Sequence, residues 1–359
     1  MVILSINIFL KKSHNINVVY EFEGDVFMFF KKMKNILCVF FLTLIFVPNI
    51  VFAYSSHVIP GGENIGIQIN SKGIMIVGLY KVNNIYPGRE AGLKLGDIII
   101  AVNNQKVSNI NELVQEVNKY NDNNEITIRY QRNKREYTTS LKLIKSEDNV
   151  YKTGLFVKDT INGIGTLTYI DPNSRFFGAL GHEIIEKSSG QKVEIRDGKI
   201  FKSNVLGIDK SSRGSPGEKN ARFHSHIVYG NVFKNTSSGI FGKYKDELPN
   251  KKLYKVAEPN EVELGPAIIL TVIEDELVEE FDIEIIKLIN NEDQRIKNIL
   301  FNITDQRLIE QTGGIVQGMS GSPILQNDMI VGAVTHVVID ETSKGYGIFI
   351  KYMLEEGEN

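Results

Sequence analysis

The sequence predicts a mainly β protein in which a small β-rich domain precedes a larger β domain, both behind an N-terminal membrane segment. Three observations predict it. The chain has 359 residues, more than one hydrophobic core usually organises, so two folded units and an appendage are expected. Short apolar runs separated by glycine turns recur from Gly62 to about Ile144, and two later segments read as strands around turns. An apolar stretch at positions 36–53 stands apart from both.

The composition supports folded domains and narrows the partners. Hydrophobic residues make up 42% and charged residues 23% of the chain, as in an ordinary globular protein. The net charge is −2 and the pI about 6.4, with Lys and Arg scattered rather than striped, which sets nucleic acid aside as a partner. The single cysteine, Cys38, lies inside the apolar stretch. The folded part therefore forms no internal disulfide and offers neither a thiol nucleophile nor a thiolate metal site. Cysteine avoidance suits an exported bacterial protein.

The first element is the N-terminal region, residues 1–55. Lys31, Lys32 and Lys34 precede the apolar stretch, which is interrupted by Thr43, Pro48 and Asn49 and ends in Val51-Phe52-Ala53. Basic flank, apolar centre and small terminal residue read as a secretory signal peptide or as an uncleaved single anchor, and the length fits either. Export across a membrane and anchoring to it are the expectation. Residues 1–30 are themselves rich in Ile, Phe and Val, and Met28 or Met33 is an alternative start.

The second element spans residues 61–145. Two segments, 125–130 and 138–143, alternate apolar and polar residues around a turn at Asn133-Lys134, as a hairpin does, and residues 111–120 have helical spacing. Pro87, the step Ala91-Gly92-Leu93, the pair Gly96-Asp97 and the turn Asn103-Asn104 follow in an order that resembles a bacterial PDZ domain. That resemblance implies peptide binding by strand addition, with Ile65, Gly66 and Ile67 as the loop that holds a terminal carboxylate. Polar residues 145–150 then read as a linker.

The third element, residues 151–354, carries two chemical signals. In the first, a strand, an Asp171-Pro172-Asn173 turn and a second strand lead through Gly178-Ala179-Leu180-Gly181 to His182. In the second, Gly318-Met319-Ser320-Gly321-Ser322-Pro323 places a serine between glycines, which expose its hydroxyl and let backbone N–H groups converge. A serine hydroxyl needs a base to take its proton and donors for the developing negative charge. His182 is the candidate base, Ser320 the nucleophile, and the N–H groups of Gly318 and Ser320 the oxyanion hole. Histidine precedes serine by 138 residues (320 − 182), the order of chymotrypsin-like double β-barrels and the reverse of α/β-hydrolases. Ser322, between Gly321 and Pro323, is the competing hydroxyl and reads as structural.

With Gly332-Ala333-Val334-Thr335-His336 following, these segments resemble the PDZ-containing SpoIVB peptidases of endospore-forming bacteria, peptidase family S55, over nearly all of residues 61–354. The resemblance implies a membrane segment, export into the space between forespore and mother cell, self-cleavage, and a signalling cut that activates processing of the sigma-K precursor. It also places the orienting acid at Asp305, with Asp209 and Asp275 as alternatives. The alternative reading of Asp305 is a helix cap, since Thr304-Asp305 precedes a helical segment.

Expected partners are accordingly protein or peptide substrates, among them membrane-associated sporulation regulators, the chain itself through self-cleavage, and the membrane; no cofactor is expected. His224 and His226 lie two apart on one strand without a clear third ligand, so no metal is expected either. His336 is expected along the substrate groove or beneath it, and residues 277–302 read as an amphipathic surface element of helical spacing. Two other functions fit the same domains: a quality-control protease of the envelope, and a non-catalytic PDZ adaptor.

Overall fold

The computed structural model describes residues 33, 54–119, 124–146, 150–289 and 296–358. The expected membrane segment at 36–53 lies outside the described residues, among which no helix is long and apolar enough to cross a membrane. Ala53–Asn359 forms one compact unit.

The chain enters through strands β1 (His57–Pro60) and β2 (Asn64–Leu79), then helix α1 (Pro87–Glu90), β3 (Ile98–Val102), β4 (Gln105–Lys106), α2 (Ile110–Lys119), β5 (Glu125–Arg132) and β6 (Arg135–Lys142). A short ribbon of β7 (Ile144–Lys145) and β8 (Tyr151–Lys152) leads to the long β9 (Leu155–Ile170) and to β10 (Phe176–Ala179). A second ribbon, β11 (Ile185–Glu186) and β12 (Gln191–Lys192), precedes β13 (Ile195–Asp209), β14 (Gly217–Thr236), β15 (Gly239–Tyr244) and β16 (Tyr254–Val256). The last part holds β17 (Gly265–Val272), β18 (Val278–Leu288), β19 (Ile299–Ile303), α3 (Gln306–Thr312), β20 (Val316–Gln317), β21 (Pro323–Gln326), β22 (Met329–Val337), β23 (Lys344–Phe349) and α4 (Ile350–Glu358).

The pairings close two antiparallel rings. In the first, β2, β9, β10, β15, β14 and β13 follow one another and β13 returns to β2. In the second, β17, β18, β19, β23, β22 and β21 close back on β17. Each ring encloses its own apolar core, around Ile65, Ile67, Phe177 and Ile200 in the first and Ile269, Phe281, Phe301 and Ile324 in the second. Closure pairs most ring strands along both edges, whereas β10 meets β9 only from Leu167 onward.

The local chemistry explains the strands. In β5, Ile126, Ile128 and Tyr130 point inward and alternate with exposed Glu125, Thr127 and Arg129. Asn133 and Lys134 turn the chain into β6 with positive φ at both positions, 50° and 62°, which matches the twist of a two-residue hairpin. Residues 277–302, expected at helical spacing, instead have strands β18 and β19 running through their described part. Phe281, Ile283 and Ile285 are buried and Glu280, Asp282 and Glu284 exposed, a period of two that a barrel wall demands.

The PDZ-like unit is not a bead ahead of the second domain but an outgrowth of the first ring. Residues 64–70 of β2 pair with 160–166 of β9 inside the ring, whereas Met75–Leu79 pair with the start of β9 in the PDZ-like unit. Ile65, Ile67 and Ile69 accordingly sit in the ring core, and Ile74 and Ile76 in the core shared with Leu93, Val102, Leu113 and Ile128. Strands β2 and β9 therefore each contribute to both units. Ile65, Gly66 and Ile67 are also not a loop. They pair with Gly165, Ile164 and Gly163 on one side and with Lys202, Phe201 and Ile200 on the other, so neither edge is left for a peptide and these residues do not form the expected carboxylate-binding loop.

Candidate active site

His182 is set by the hairpin of β9 and β10. The turn between them is held by Asp171, whose carboxylate accepts from the N–H groups of Asn173 and Ser174 at 2.8 and 3.1 Å. After β10 the chain turns sharply at Leu180 and Gly181, with φ of 71° and 69°. A Cβ on Gly181 would lie 2.8 Å from the Thr335 side chain, so the corner before the histidine has room only for glycine. The His182 imidazole then donates from Nδ1 to the Glu183 carbonyl at 2.8 Å. A carbonyl only accepts, so this bond puts the hydrogen on Nδ1 and leaves the Nε2 lone pair available. Burial holds the His182 pKa below the usual range, against the opposing pull of the Glu183 contacts.

Ser320 is set by the connection from α3 to β21. Gly318 and Gly321 have φ of 98° and 94°, and each is locked to β9 by a threonine hydroxyl. Thr166 Oγ1 donates to the Gly318 carbonyl and Thr168 Oγ1 to the Gly321 carbonyl, both at 2.8 Å. The Thr166 N–H donates to the Ser320 carbonyl at 2.9 Å, and the Thr166 carbonyl accepts from Leu180 N–H at 3.3 Å. One residue of the first ring thus touches both the serine loop and the corner that carries His182. A Cβ on Gly321 would stand 2.1 Å from the Thr166 oxygen and 2.5 Å from the Leu180 nitrogen, a measure of how closely the two loops meet.

The structure therefore brings the segments of His182 and Ser320 together at the seam of the rings, without a hydrogen bond between the two side chains. Ser320 Oγ donates instead to the Thr335 carbonyl at 3.0 Å. His336 follows Thr335, with its ring centre 5.4 Å from that of His182. Burial, His182 and Lys297 together push the His336 pKa down to about 4, and its buried Nδ1 has no hydrogen-bond partner among the described residues. Ser322 is fully buried, 3.5 Å from the Thr166 hydroxyl. Behind Gly318 lies Lys219, only 2% exposed. Its stem packs on that glycine, its Nζ meets Thr271 Oγ1 at 3.0 Å, and burial pushes its pKa down to about 7.

The candidate acids do not reach His182. Asp305 caps α3, accepting from the Arg307 N–H at 2.9 Å and pairing with the Arg307 guanidinium at 2.7 Å, which holds its carboxyl below the usual range. Its own N–H and that of Thr304 bond the Asp282 carbonyl in β18, so the barrel wall fixes it there. Asp209 is exposed opposite Glu218 at the end of β13. Asp275 bridges Val205 and accepts from Asn204 at 2.5 Å. His224 and His226 have ring centres 6.1 Å apart on β14, and the described residues contain no group of three metal-ligating side chains.

Sequence reasoning missed Thr166, Thr168, Thr335 and Lys219. Thr166 and Thr168 left a usable signal, because two threonines at a spacing of two in an otherwise apolar strand place both hydroxyls on one face.

Two closed antiparallel rings, a serine loop and a histidine corner at their seam, and a PDZ-type outgrowth define the class: a serine peptidase with a PDZ domain. Residues 149–354, more than half of the chain, match the family profile described as SpoIVB peptidase S55, and residues 64–143 match that of the PDZ domain. The chain belongs to the SpoIVB peptidase S55 family. Among solved structures it is similar to the PDZ domain of the SdrC-like protein from Listeria monocytogenes, at 15% identity and a TM-score of 0.22, over 25% of this chain and 93% of that one. It is similar also to Rv3671c from M. tuberculosis H37Rv, a serine-to-alanine mutant in its inactive form, at 15% identity and a TM-score of 0.30, over 54% of this chain and 82% of that one. No curated protein matches the sequence.

Proposed function

We propose that the chain is a serine endopeptidase with a chymotrypsin-like pair of barrels, in which Ser320 is the nucleophile and His182 its general base. The observation that carries this reading is the double engagement of Thr166, which holds the Ser320 carbonyl and the approach to His182 in one place. The Nδ1–H tautomer of His182 leaves Nε2 as proton acceptor, the form a base toward serine requires. Catalysis then requires the Ser320 hydroxyl to leave the Thr335 carbonyl, which it now meets at 3.0 Å, and turn to that nitrogen. The Ser320 N–H, with that of Gly318, serves as the oxyanion hole. In this arrangement the Glu183 carbonyl orients the imidazole, and Asp305 supports the serine loop from the start of α3.

The substrate is a polypeptide. Following the S55 resemblance, the enzyme cuts itself and a membrane-associated regulator in sporulation signalling, from the outer face of a membrane that its N-terminal segment enters. Expression of the full-length chain in membranes tests this: wild type is expected to yield a shortened form that Ser320→Ala does not. Equal shortening of both would reject self-cleavage and point to a foreign protease.

A further inference from the structure

One strand, β9, runs through both the PDZ domain and the ring that carries Thr166, and one of its edges is open. We propose that this edge is a continuous peptide track: the PDZ end holds the free C-terminal tail of a polypeptide substrate, and the chain upstream of that tail is led along β9 to Ser320. The proposal rests on the peptidase reading above.

β2 lines one edge of β9 from Leu155 to Thr166, and β10 covers the other only from Leu167 onward. Among the described residues no strand pairs with that second edge between Leu155 and Gly165. The Thr166 N–H reaches Ser320 and so faces away from β2. The register with β2 is unbroken from Thr166 back to Thr160, so by alternation Ile164, Asn162 and Thr160 also turn their N–H and C=O groups to the open edge. Asn162 is exposed and its two companions half-buried. An unpaired edge of this kind is a template for an added strand.

The start of β9 has the features the PDZ resemblance had sought at residues 65–67. Gly154 has φ of 69° and would bring a Cβ to 2.7 Å from Pro87, so this turn is reserved for glycine. Leu155 enters the PDZ core and Phe156 is 57% exposed. Helix α2 flanks the strand, its Ile110 N–H bonding the Asp159 carboxylate at 2.8 Å. A glycine and two apolar residues opening a strand beside a helix are what a terminal carboxylate and an apolar last side chain require. With the carboxylate at Gly154 the peptide runs antiparallel to β9, so its upstream residues move toward Thr166. Leu155 and Thr166 are 11 positions apart (166 − 155), about 36 Å of strand. The scissile bond then falls about ten to twelve residues before the C-terminus.

The test uses the full-length protein and an unstructured 24-residue peptide with a free carboxylate, its C-terminal amide, and a version extended by three residues at the C-terminus. The free acid is expected to be cut at one place about ten to twelve residues from its end, with the cut moving three residues in the extended peptide. Binding to the Ser320→Ala chain, read by fluorescence anisotropy, is expected to be about tenfold weaker for the amide. Asn162→Pro, which deletes one outward N–H and spares the β2 ladder, should weaken binding about five- to tenfold. Cleavage that ignores distance from the end, or equal binding of acid and amide, would overturn the proposal. If no peptide is cut yet acid binds better than amide and Asn162→Pro weakens it, the peptidase reading fails while the track stands.

Discussion

The N–H of Thr166 in β9 donates to the carbonyl of Ser320 at 2.9 Å, joining the first ring to the serine loop of the second. The hydroxyl of the same residue holds the Gly318 carbonyl at 2.8 Å. Thr166→Val keeps the shape and removes that hydroxyl, leaving a buried carbonyl unpaired, at a cost of about 1–3 kcal/mol. Denaturant unfolding should show this loss, and kcat should fall more than KM rises because the loop bearing the nucleophile loosens. Unchanged stability and turnover would mean that the loop is held by other contacts.

The acid limb of activity should lie below pH 6.5. His182 works as a base only when neutral, and burial holds its pKa below the ordinary value, so activity persists below 6.5 and is lost as pH falls through the lowered pKa. His336, at about 4, stays neutral over the upper part of that range. Both groups are neutral in the fold while the unfolded chain takes up protons near pH 6.5, so stability also declines as pH drops from there toward 4. A kcat/KM profile with its acid midpoint above 6.5 would contradict the role of His182.

Lys219 makes a second, alkaline dependence. Its buried amine titrates at about 7 rather than 10.5, so the unfolded chain binds a proton that the fold rejects over that interval. Stability should therefore fall as pH decreases from about 10.5 to 7 and level off below. Lys219→Met fills the same space without a charge and should raise stability at pH 7 by roughly 2–5 kcal/mol. It should also flatten the slope. Thermal melts at pH 7 and 9.5 check it, and a slope that survives the substitution would place its origin in another group.

Asp305 should behave as a cap in stability measurements. Asparagine caps a helix as well as aspartate does, whereas alanine loses about 1 kcal/mol. Asp305→Asn should therefore melt near wild type and Asp305→Ala below it. Turnover of the asparagine variant per folded molecule then reads the charge alone, and a large loss there would give the carboxylate a part in orienting His182.

Much of this was legible in the sequence because it is local. The hairpin of β5 and β6 announces itself by alternation around Asn133-Lys134, the corner before His182 by its small residues, and the serine loop by its glycines. Residues 277–302 misled because Phe281 and Ile285 are four apart as well as two from Ile283, so both periods fit until the partner strand is known. The interleaving of the PDZ domain with the first ring was not legible. It depends on Asn70 pairing with Thr160 and Met75 with Lys158, contacts across more than eighty residues whose order no local pattern encodes. For the same reason Ile65-Gly66-Ile67 passed for a loop, since nothing nearby shows that both of its edges are taken.

The central claim is that Ser320 is the reactive hydroxyl and His182 the group that activates it. Treatment of the full-length protein with a fluorophosphonate, followed by peptide mapping, tests it most directly. The account predicts a single adduct on Ser320, lost in Ser320→Ala and His182→Ala and retained in Ser322→Ala. An adduct on Ser322, or labelling that survives the loss of His182, would contradict it.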